Sequence, residues 1–337
     1  MVLRSFRNAA AAFLAGLALV LGAQGAGAQC TGTNLIAALP ESDRAALQAA
    51  AAAVPYPDGN LWRATRGDRT VWLVGTYHFD DPRHAATMEK VAPLIGQAKT
   101  VLVEAGPDEE AALMAHMSRD PSVMVNTDGP TLPELLPEEE WQRLADAMRA
   151  RSVPPFMAAK FRPWYVSMLL AIPTCQMATS ARPEGLDAMV IKAADARGLP
   201  VRALEPYDTL FSIFADMTMD EQVAMIRTTL SLEGQAEDYA VTLADAYFAG
   251  EGRLIWEFSR LLALRLPDYP PEQVERDFAR MEEAMMNRRN RAWIPVIEAA
   301  ADEGPVLAAF GALHLSGTEG VLNLLEGAGY RLERLDG

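Results

Sequence analysis

The chain has 337 residues, of which 50% are hydrophobic, and its formal net charge at pH 7 is −15. Such an acidic surface repels a phosphate backbone, so we expect no nucleic-acid partner. A chain of this length and apolar content can bury one large core or two smaller ones.

Residues 1–28 are predicted to be a signal peptide. Arg4 and Arg7 form a basic start, the apolar stretch from Ala9 to Ala23 is short for a membrane span, and the tripeptide AGA at 26–28 resembles a cleavage site. We therefore expect a periplasmic or secreted mature chain without a membrane span. An uncleaved anchor helix is the alternative.

The two cysteines of the chain, Cys30 and Cys175, lie far apart in the sequence. An exported compartment permits a disulfide, which would attach the N-terminus to the body of the protein. The alternative is a pair of buried thiols, and we favour the disulfide.

Predicted strands and helices alternate at both ends of the chain. Residues 29–58 are predicted to be an N-terminal helical segment, and residues 59–337 the main domain. This domain begins with a β-hairpin that turns at Gly67-Asp68, followed by a helix and a strand that ends at Glu104.

A mainly helical insertion is predicted for about residues 108–303. Long amphipathic helices are expected at 207–265 and 272–303, and a helix and strand at 187–205 interrupt the insertion. A strand at 305–312, a helix and a last strand complete the chain.

One pattern occurs twice: a strand, a G-x-x-H motif, a helix and a second strand, from Val71 to Glu104 and from Val306 to Leu335. Units of this kind normally place their strands parallel. We predict an α/β fold whose central mixed, largely parallel sheet is built from these two units at the chain ends. Gly75 and Gly311 are expected to permit a positive φ and close backbone approach.

Four polar residues share one position, at or just beyond the carboxyl end of a predicted strand: His78, Glu104, Glu205 and His314. In open α/β sheets this edge binds ligands. Imidazole and carboxylate are ligands of divalent manganese, cobalt and zinc, and a carboxylate that is not a ligand can act as a general base. We predict that these four hold a divalent metal ion and that the two histidines and Glu104 are catalytic. In the alternative interpretation each is a structural residue.

Other polar residues are interpreted more simply. Arg289 is predicted to belong to the catalytic residues, where it would orient a site carboxylate or an anionic substrate group, although a solvated basic face explains it equally well. Asp187 is expected to be a helix N-cap. His84 and His116 are expected at the surface.

The ordered set of motifs resembles the TraB/PrgY/GumN family, related to the Tiki metalloproteases and more distantly to erythromycin esterase and ChaN-like proteins. The similar segments include "WLVGTYHFDDPR", "TVLVEAG", "EGLDAMVIKAADARGLPVRALEP" and "FGALHLSGTEGVLNLLEGAGYRL". The resemblance implies functional roles for His78, His314 and Glu104, and it places Glu205 and Arg289 at recurrent family positions.

The resemblance also implies a function. The Tiki branch performs metal-dependent proteolysis, with manganese or cobalt favoured, whereas in the esterase relatives histidine and glutamate activate water without an established metal. We therefore expect a hydrolase that acts on a peptide or other acyl compound. The alternative is a binding protein that captures a peptide or small-molecule signal, as the PrgY relatives suggest. The sequence does not predict an oligomeric state.

Overall fold

The computed structural model describes residues 30–177, 184–266 and 269–337. The predicted signal peptide, residues 1–28, lies outside the described residues.

A six-stranded sheet forms the centre of the protein, with the strand order β4-β3-β5-β2-β1-β6. The strands are β1 (Leu61–Arg66), β2 (Arg69–Thr76), β3 (Thr100–Val103), β4 (Val201–Ala203), β5 (Val306–Gly311) and β6 (Arg331–Arg334). Four neighbours, β4, β3, β5 and β2, are parallel, whereas β1 is antiparallel to both β2 and β6. The predicted α/β fold with a mixed, largely parallel sheet is confirmed.

The helices surround this sheet and form the insertion. The α-helices of the described residues are α1 (Glu41–Ala52), α2 (His84–Ile95), α3 (Pro107–Arg119), α4 (Leu132–Leu135), α5 (Glu138–Ala150), α6 (Pro155–Ala158), α7 (Pro163–Leu170), α8 (Thr174–Met177), α9 (Leu186–Asp195), α10 (Thr209–Ala215), α11 (Met219–Leu232), α12 (Ala236–Phe248), α13 (Gly252–Leu264), α14 (Pro271–Glu282), α15 (Arg288–Glu303) and α16 (Val321–Gly327).

The two strands of each repeated unit run parallel but are not neighbours. β5 lies between β2 and β3, and the pair β2-β1 lies between β5 and β6. The second unit therefore supplies β5, the strand that joins the two strands of the first unit. The sheet requires both units.

Both faces of the central strands are buried, which explains their almost continuous apolar sequences. Along β2, Val71 and Leu73 belong to a core that includes residues of α15 and α16. The alternate residues Trp72 and Val74 belong to a second core that includes residues of α2 and α9. The sheet is thus packed between two helical layers.

The helical insertion has a hydrophobic core of its own. Residues from α4, α5, α6, α7 and α11 pack together, among them Leu132, Leu144, Ala158, Val166 and Ile226. The prediction of long helices over 207–265 was wrong, because the chain breaks there into α10, α11, α12 and α13. A capping box starts α11, in which Thr218 accepts from the backbone N–H of Glu221 and the Glu221 carboxylate accepts from the N–H of Thr218. Gly250, with φ of 77°, separates α12 from α13.

Cys30 and Cys175 form a disulfide, as favoured from the sequence. The bond attaches the N-terminal segment to α8. The same segment lies along α12, where the backbone N–H of Leu35 donates to the Thr242 hydroxyl at 2.7 Å. Helix α1 then packs against α13. None of the helices in the described part combines the length and apolar composition that a membrane crossing requires.

The disulfide should contribute measurably to stability. It closes a loop with a sequence separation of 145 residues, and restricting the unfolded chain in this way typically contributes about 2–4 kcal/mol. We expect the Cys30→Ser, Cys175→Ser double variant to lose that much free energy of unfolding in urea titrations. The denatured wild-type protein should show no reactive thiol, and two reactive thiols per chain would contradict the bond.

Candidate active site

The predicted residues converge at one edge of the sheet. His78 follows β2, His314 follows β5, Glu104 follows β3 and Glu205 follows β4. Because these four strands are parallel neighbours, their carboxyl ends lie side by side.

Gly311 marks the centre of this group. A β-carbon at this position would lie 3.3 Å from Oε1 of Glu104, 3.5 Å from Nε2 of His78 and 3.7 Å from Cδ2 of His314. Three of the four predicted side chains therefore approach the position that a β-carbon on Gly311 would occupy. The fourth, Glu205, reaches the group through an arginine.

Arg289 joins the two carboxylates. Its Nε and Nη2 donate to the two oxygens of Glu205 at 2.8 and 2.7 Å, and Nη2 also donates to Oε2 of Glu104 at 2.6 Å. The arginine side chain is only 8% exposed. Of the two roles considered for Arg289, the geometry supports the one that orients a site carboxylate.

The chain around Arg289 holds the guanidinium in place. One turn of π-helix, Glu283–Asn287, comes directly before it, and Nη1 of Arg289 donates to the Met285 carbonyl at 2.9 Å. Such turns often occur at functional sites. The Trp293 ring lies 5.0 Å from the guanidinium carbon, and its Nε1–H donates to Glu205 at 3.0 Å. Sequence reasoning missed Trp293, which carries no motif.

His314 is buried, and its hydrogen bonds define its tautomer. The Asn290 amide nitrogen donates to the Glu319 carbonyl at 2.8 Å, so the amide oxygen faces His314 and accepts from its Nδ1–H at 2.6 Å. Nε2 of His314 therefore carries a lone pair, which accepts from Nη1 of Arg289 at 3.2 Å. Burial, opposed by Glu104 and reinforced by Arg289, lowers the pKa of His314 to about 3. Its imidazole is neutral at neutral pH.

His78 has a different environment. Its side chain is 60% exposed, and its Nδ1 lies 2.9 Å from Oδ1 of Asp187. Desolvation opposes a charge on the ring, but the hydrogen bond to Asp187 and the charges of Asp187 and Glu104 raise the pKa of His78. Because water reaches the exposed ring, the attraction of Asp187 and Glu104 for a charged His78 is weaker, but the pKa is still raised.

Asp187 is therefore not the helix N-cap that the sequence suggested. Gly185 occupies the N-cap of α9, and Asp187 lies in the first turn with its carboxylate on His78. A β-carbon on Gly185 would lie 2.4 Å from the carbonyl carbon of His78. The backbone N–H of Leu186 also donates to the Tyr77 carbonyl at 3.0 Å. The start of α9 thus docks directly on the loop that carries His78.

Glu104 is ionised in this setting. Its Oε1 accepts from the backbone N–H of Gly311 at 2.6 Å. Burial alone would raise its pKa, but His314, Arg289, His78 and the N–H of Gly311 lower the pKa of Glu104 to about 2. Because His314 is neutral at neutral pH, the charge on Arg289 is the main support for this carboxylate.

The two motif glycines allow close approach rather than an unusual backbone. Neither Gly75 nor Gly311 has a positive φ, so that part of the prediction was wrong. A β-carbon on Gly75 would lie 2.7 Å from Cδ1 of Leu315. Space, and not left-handed conformation, therefore requires glycine at Gly75.

Two further histidine predictions need correction. His84 is 1% exposed, because its ring packs among Tyr77, Tyr247 and Phe248, and its Nε2 lies 2.9 Å from the Phe79 carbonyl oxygen. His116 is half-buried, with Nδ1 3.2 Å from the Tyr207 hydroxyl. Helical spacing alone did not reveal the aromatic side chains that cover these rings.

The site does not fit one divalent ion shared by all four predicted ligands. Arg289 binds both carboxylates and donates to Nε2 of His314, so a cation already occupies the position between these groups. Nε2 of His314 is 4.0 Å from Oε1 of Glu104, near the limit for two ligands of one ion with bonds of about 2.1 Å. Within the residues that the structure describes, no group of three or more such side chains is arranged to hold a metal. Metal binding is thus a prediction from the sequence that the arrangement of these side chains does not support.

Acid should destabilise the protein through His314. Its folded pKa of about 3 lies below the ordinary 6.5, so between these values the unfolded chain binds a proton that the folded chain does not. Stability therefore falls as the pH falls through this window, by up to about 1.4 kcal/mol per unit. Glu104, whose pKa is lowered from 4.5 to about 2, keeps its stabilising contribution until the pH falls below 4.5.

We expect His314→Gln to flatten the decline in unfolding free energy between pH 6.5 and 4.5, measured by urea titration. His116→Gln, outside the site, serves as the control. An equally steep decline in the His314→Gln variant would contradict a neutral His314.

Comparison with known proteins assigns the chain to a family. No curated protein matches the chain. The sequence does match the TraB/PrgY/gumN family over residues 60–334, a range that includes all four strand-end residues and Arg289. The chain therefore belongs to the TraB/PrgY/gumN family.

Proposed function

We propose that this protein is a hydrolase that cleaves a peptide or another acyl compound, with water activated by histidine and glutamate side chains. The observation that supports the proposal most strongly is the group around Gly311, where Nε2 of His78 and Oε1 of Glu104 approach within 3.5 and 3.3 Å of the same β-carbon position. An imidazole nitrogen and an ionised carboxylate around one small space suit the handling of a water molecule.

The chemistry assigned to these groups is acyl transfer to water. A side chain takes a proton from water while the water oxygen forms a bond to the acyl carbon. The bond from that carbon to nitrogen or oxygen then breaks, and the same proton passes to the departing amine or alcohol. Arg289 contributes by keeping Glu104 ionised and in place.

We place this reaction in the periplasm or outside the cell. The disulfide between Cys30 and Cys175 supports an exported location, because thiols in the bacterial cytoplasm are kept reduced. The signal peptide predicted for residues 1–28 agrees with this proposal.

A digest of a mixed peptide library, together with a panel of simple esters and amides, tests the activity. We expect the mature wild-type chain to cleave at least one class, and Glu104→Gln to lose about 100-fold or more of kcat/KM. Glu139→Gln is the matched control, since Glu139 is an exposed glutamate on α5, a helix that packs in the separate core of the insertion.

Gly311→Ala is a second site variant. Its backbone conformation, with φ of −49°, suits alanine, but the added methyl group would enter the space between Glu104 and His78. We expect a folded protein with strongly reduced turnover. Peptide binding without any turnover by the wild type would contradict the proposal and favour the capture protein considered from the sequence.

The position of Arg289 leads to a separate expectation about metals. Excess manganese, cobalt or zinc should leave the midpoint of thermal unfolding nearly unchanged. An ion that binds the native state, present at a concentration one hundred times its Kd, would raise the free energy of unfolding by about 2.7 kcal/mol. Dialysis against EDTA should leave turnover intact. Purified protein that retains one equivalent of metal, and loses it in the His78→Ala, His314→Ala double variant, would contradict this expectation.

A further inference from the structure

The two G-x-x-H histidines look equivalent in the sequence but have unequal surroundings. His78 is exposed and paired with a carboxylate, whereas His314 is 5% exposed and paired with an amide. The difference comes from the neighbouring helices, since Asp187 lies at the start of α9 and Asn290 in the first turns of α15.

In their neutral forms, both rings adopt the same tautomer. An ionised carboxylate can only accept, so Nδ1 of His78 carries the proton that Asp187 binds. The Asn290 amide also presents its oxygen to His314, as the direction of its other hydrogen bond shows. In each ring Nε2 is therefore the atom left to act at the site.

The two Nε2 atoms are not equally available. That of His314 accepts a hydrogen bond from Arg289 at 3.2 Å inside a buried pocket, with the Trp293 ring centroid 4.4 Å from its own. The described residues offer no hydrogen-bond partner to Nε2 of His78, which points toward Gly311 from an exposed ring. A substrate or water molecule can reach His78 without breaking any of these contacts.

We infer that the two motif histidines have different roles: His78, oriented by Asp187, transfers protons to and from the substrate, whereas His314 is a positioning residue that holds Arg289. This assignment rests on the proposed hydrolase function. In the reaction, Nε2 of His78 takes the proton of the attacking water as the new carbon–oxygen bond forms, and returns it to the leaving group as the old bond breaks. Asp187 acts through His78 and touches no substrate.

The charges around the two rings agree with this division. Asp187 and Glu104 are the anions near His78, and Arg289 is the opposing cation. The anions stabilise the imidazolium that forms when His78 takes a proton. Beside His314, the guanidinium of Arg289 and the burial of the ring both oppose such a charge.

Proton and nitrogen NMR of the four histidines tests the geometry without a substrate, with His84→Gln and His116→Gln used for assignment. We expect His314 to stay the neutral Nδ1–H tautomer throughout the neutral range. The titration midpoint of His78 should fall by about one pH unit in Asp187→Asn. A His314 that titrates near neutrality, or a His78 midpoint that does not respond to Asp187→Asn, would overturn the assignment.

The pH dependence of kcat/KM tests the roles. His78→Gln should remove the limb of the profile that reports the proton-transfer group, with a loss of about 100-fold or more. Asp187→Asn should move that limb to lower pH, and Asp187→Glu should restore part of its position. His314→Gln should reduce the rate and leave the limb where it was.

The opposite result, a limb lost in His314→Gln and retained in His78→Gln, would overturn the inference while leaving the hydrolase proposal intact. A wild-type chain that cleaves no acyl substrate would instead overturn the proposed function and the proton-transfer role together. The NMR measurements distinguish these cases, because they report the Asp187–His78 and Asn290–His314 pairs directly. Circular dichroism of each variant confirms that it is folded.

Discussion

The ion pairs of Arg289 are the interaction on which the site depends. Two carboxylates at adjacent strand ends, 21% and 11% exposed, would repel each other if no cation lay between them. Their shared guanidinium removes this repulsion and uses several of its N–H groups to do so. Breaking a buried pair of this kind typically costs about 3–5 kcal/mol, because a charge is left without a partner. Arg289 thus links the integrity of the sheet edge to the protonation states of the groups beside it.

The sheet and its helices explain why so few residues suffice to build the site. Parallel neighbouring strands bring four chain positions to one edge, and each adjacent helix adds one orienting group: Asp187 from α9 and Asn290 from α15. Both helices also belong to the cores on opposite faces of the sheet. The orienting groups are therefore carried by helices that pack on the sheet, which favours a preorganised site.

The sequence was sufficient to predict the sheet and the four strand-end residues, because strand ends leave a local signal. Apolar runs that finish in glycine, histidine or glutamate mark them without any knowledge of tertiary contacts. Asp187 also stood out in the sequence, as a polar residue at the start of a helix. Such a residue is more commonly an N-cap, and only the approach of Gly185 to His78 shows that Asp187 has another role. The breaks between the helices of the insertion could not be predicted, because only caps and turns mark them. The amphipathic pattern stays helical on either side of each break.

The contact partners of Arg289 were beyond the reach of sequence patterns. One guanidinium bridging Glu104 and Glu205 joins positions 185 and 84 residues away along the chain, and no periodicity records such a contact. Trp293 and Asn290 are ordinary helix residues until the strand ends are placed next to them. The same reason explains His84, whose burial depends on aromatic rings from a helix of the insertion.

The position of β5 has a consequence for how the protein folds. This strand lies between β2 and β3 although the whole helical insertion separates it from them along the chain. Until it arrives, β2 and β3 have no common neighbour, and the first histidine and the first glutamate of the site remain unconnected. The sheet is therefore closed by long-range pairing, a slow kind of folding step. The residues of the candidate site come together only once β5 has paired, when the insertion, with its own core, already precedes it in the chain.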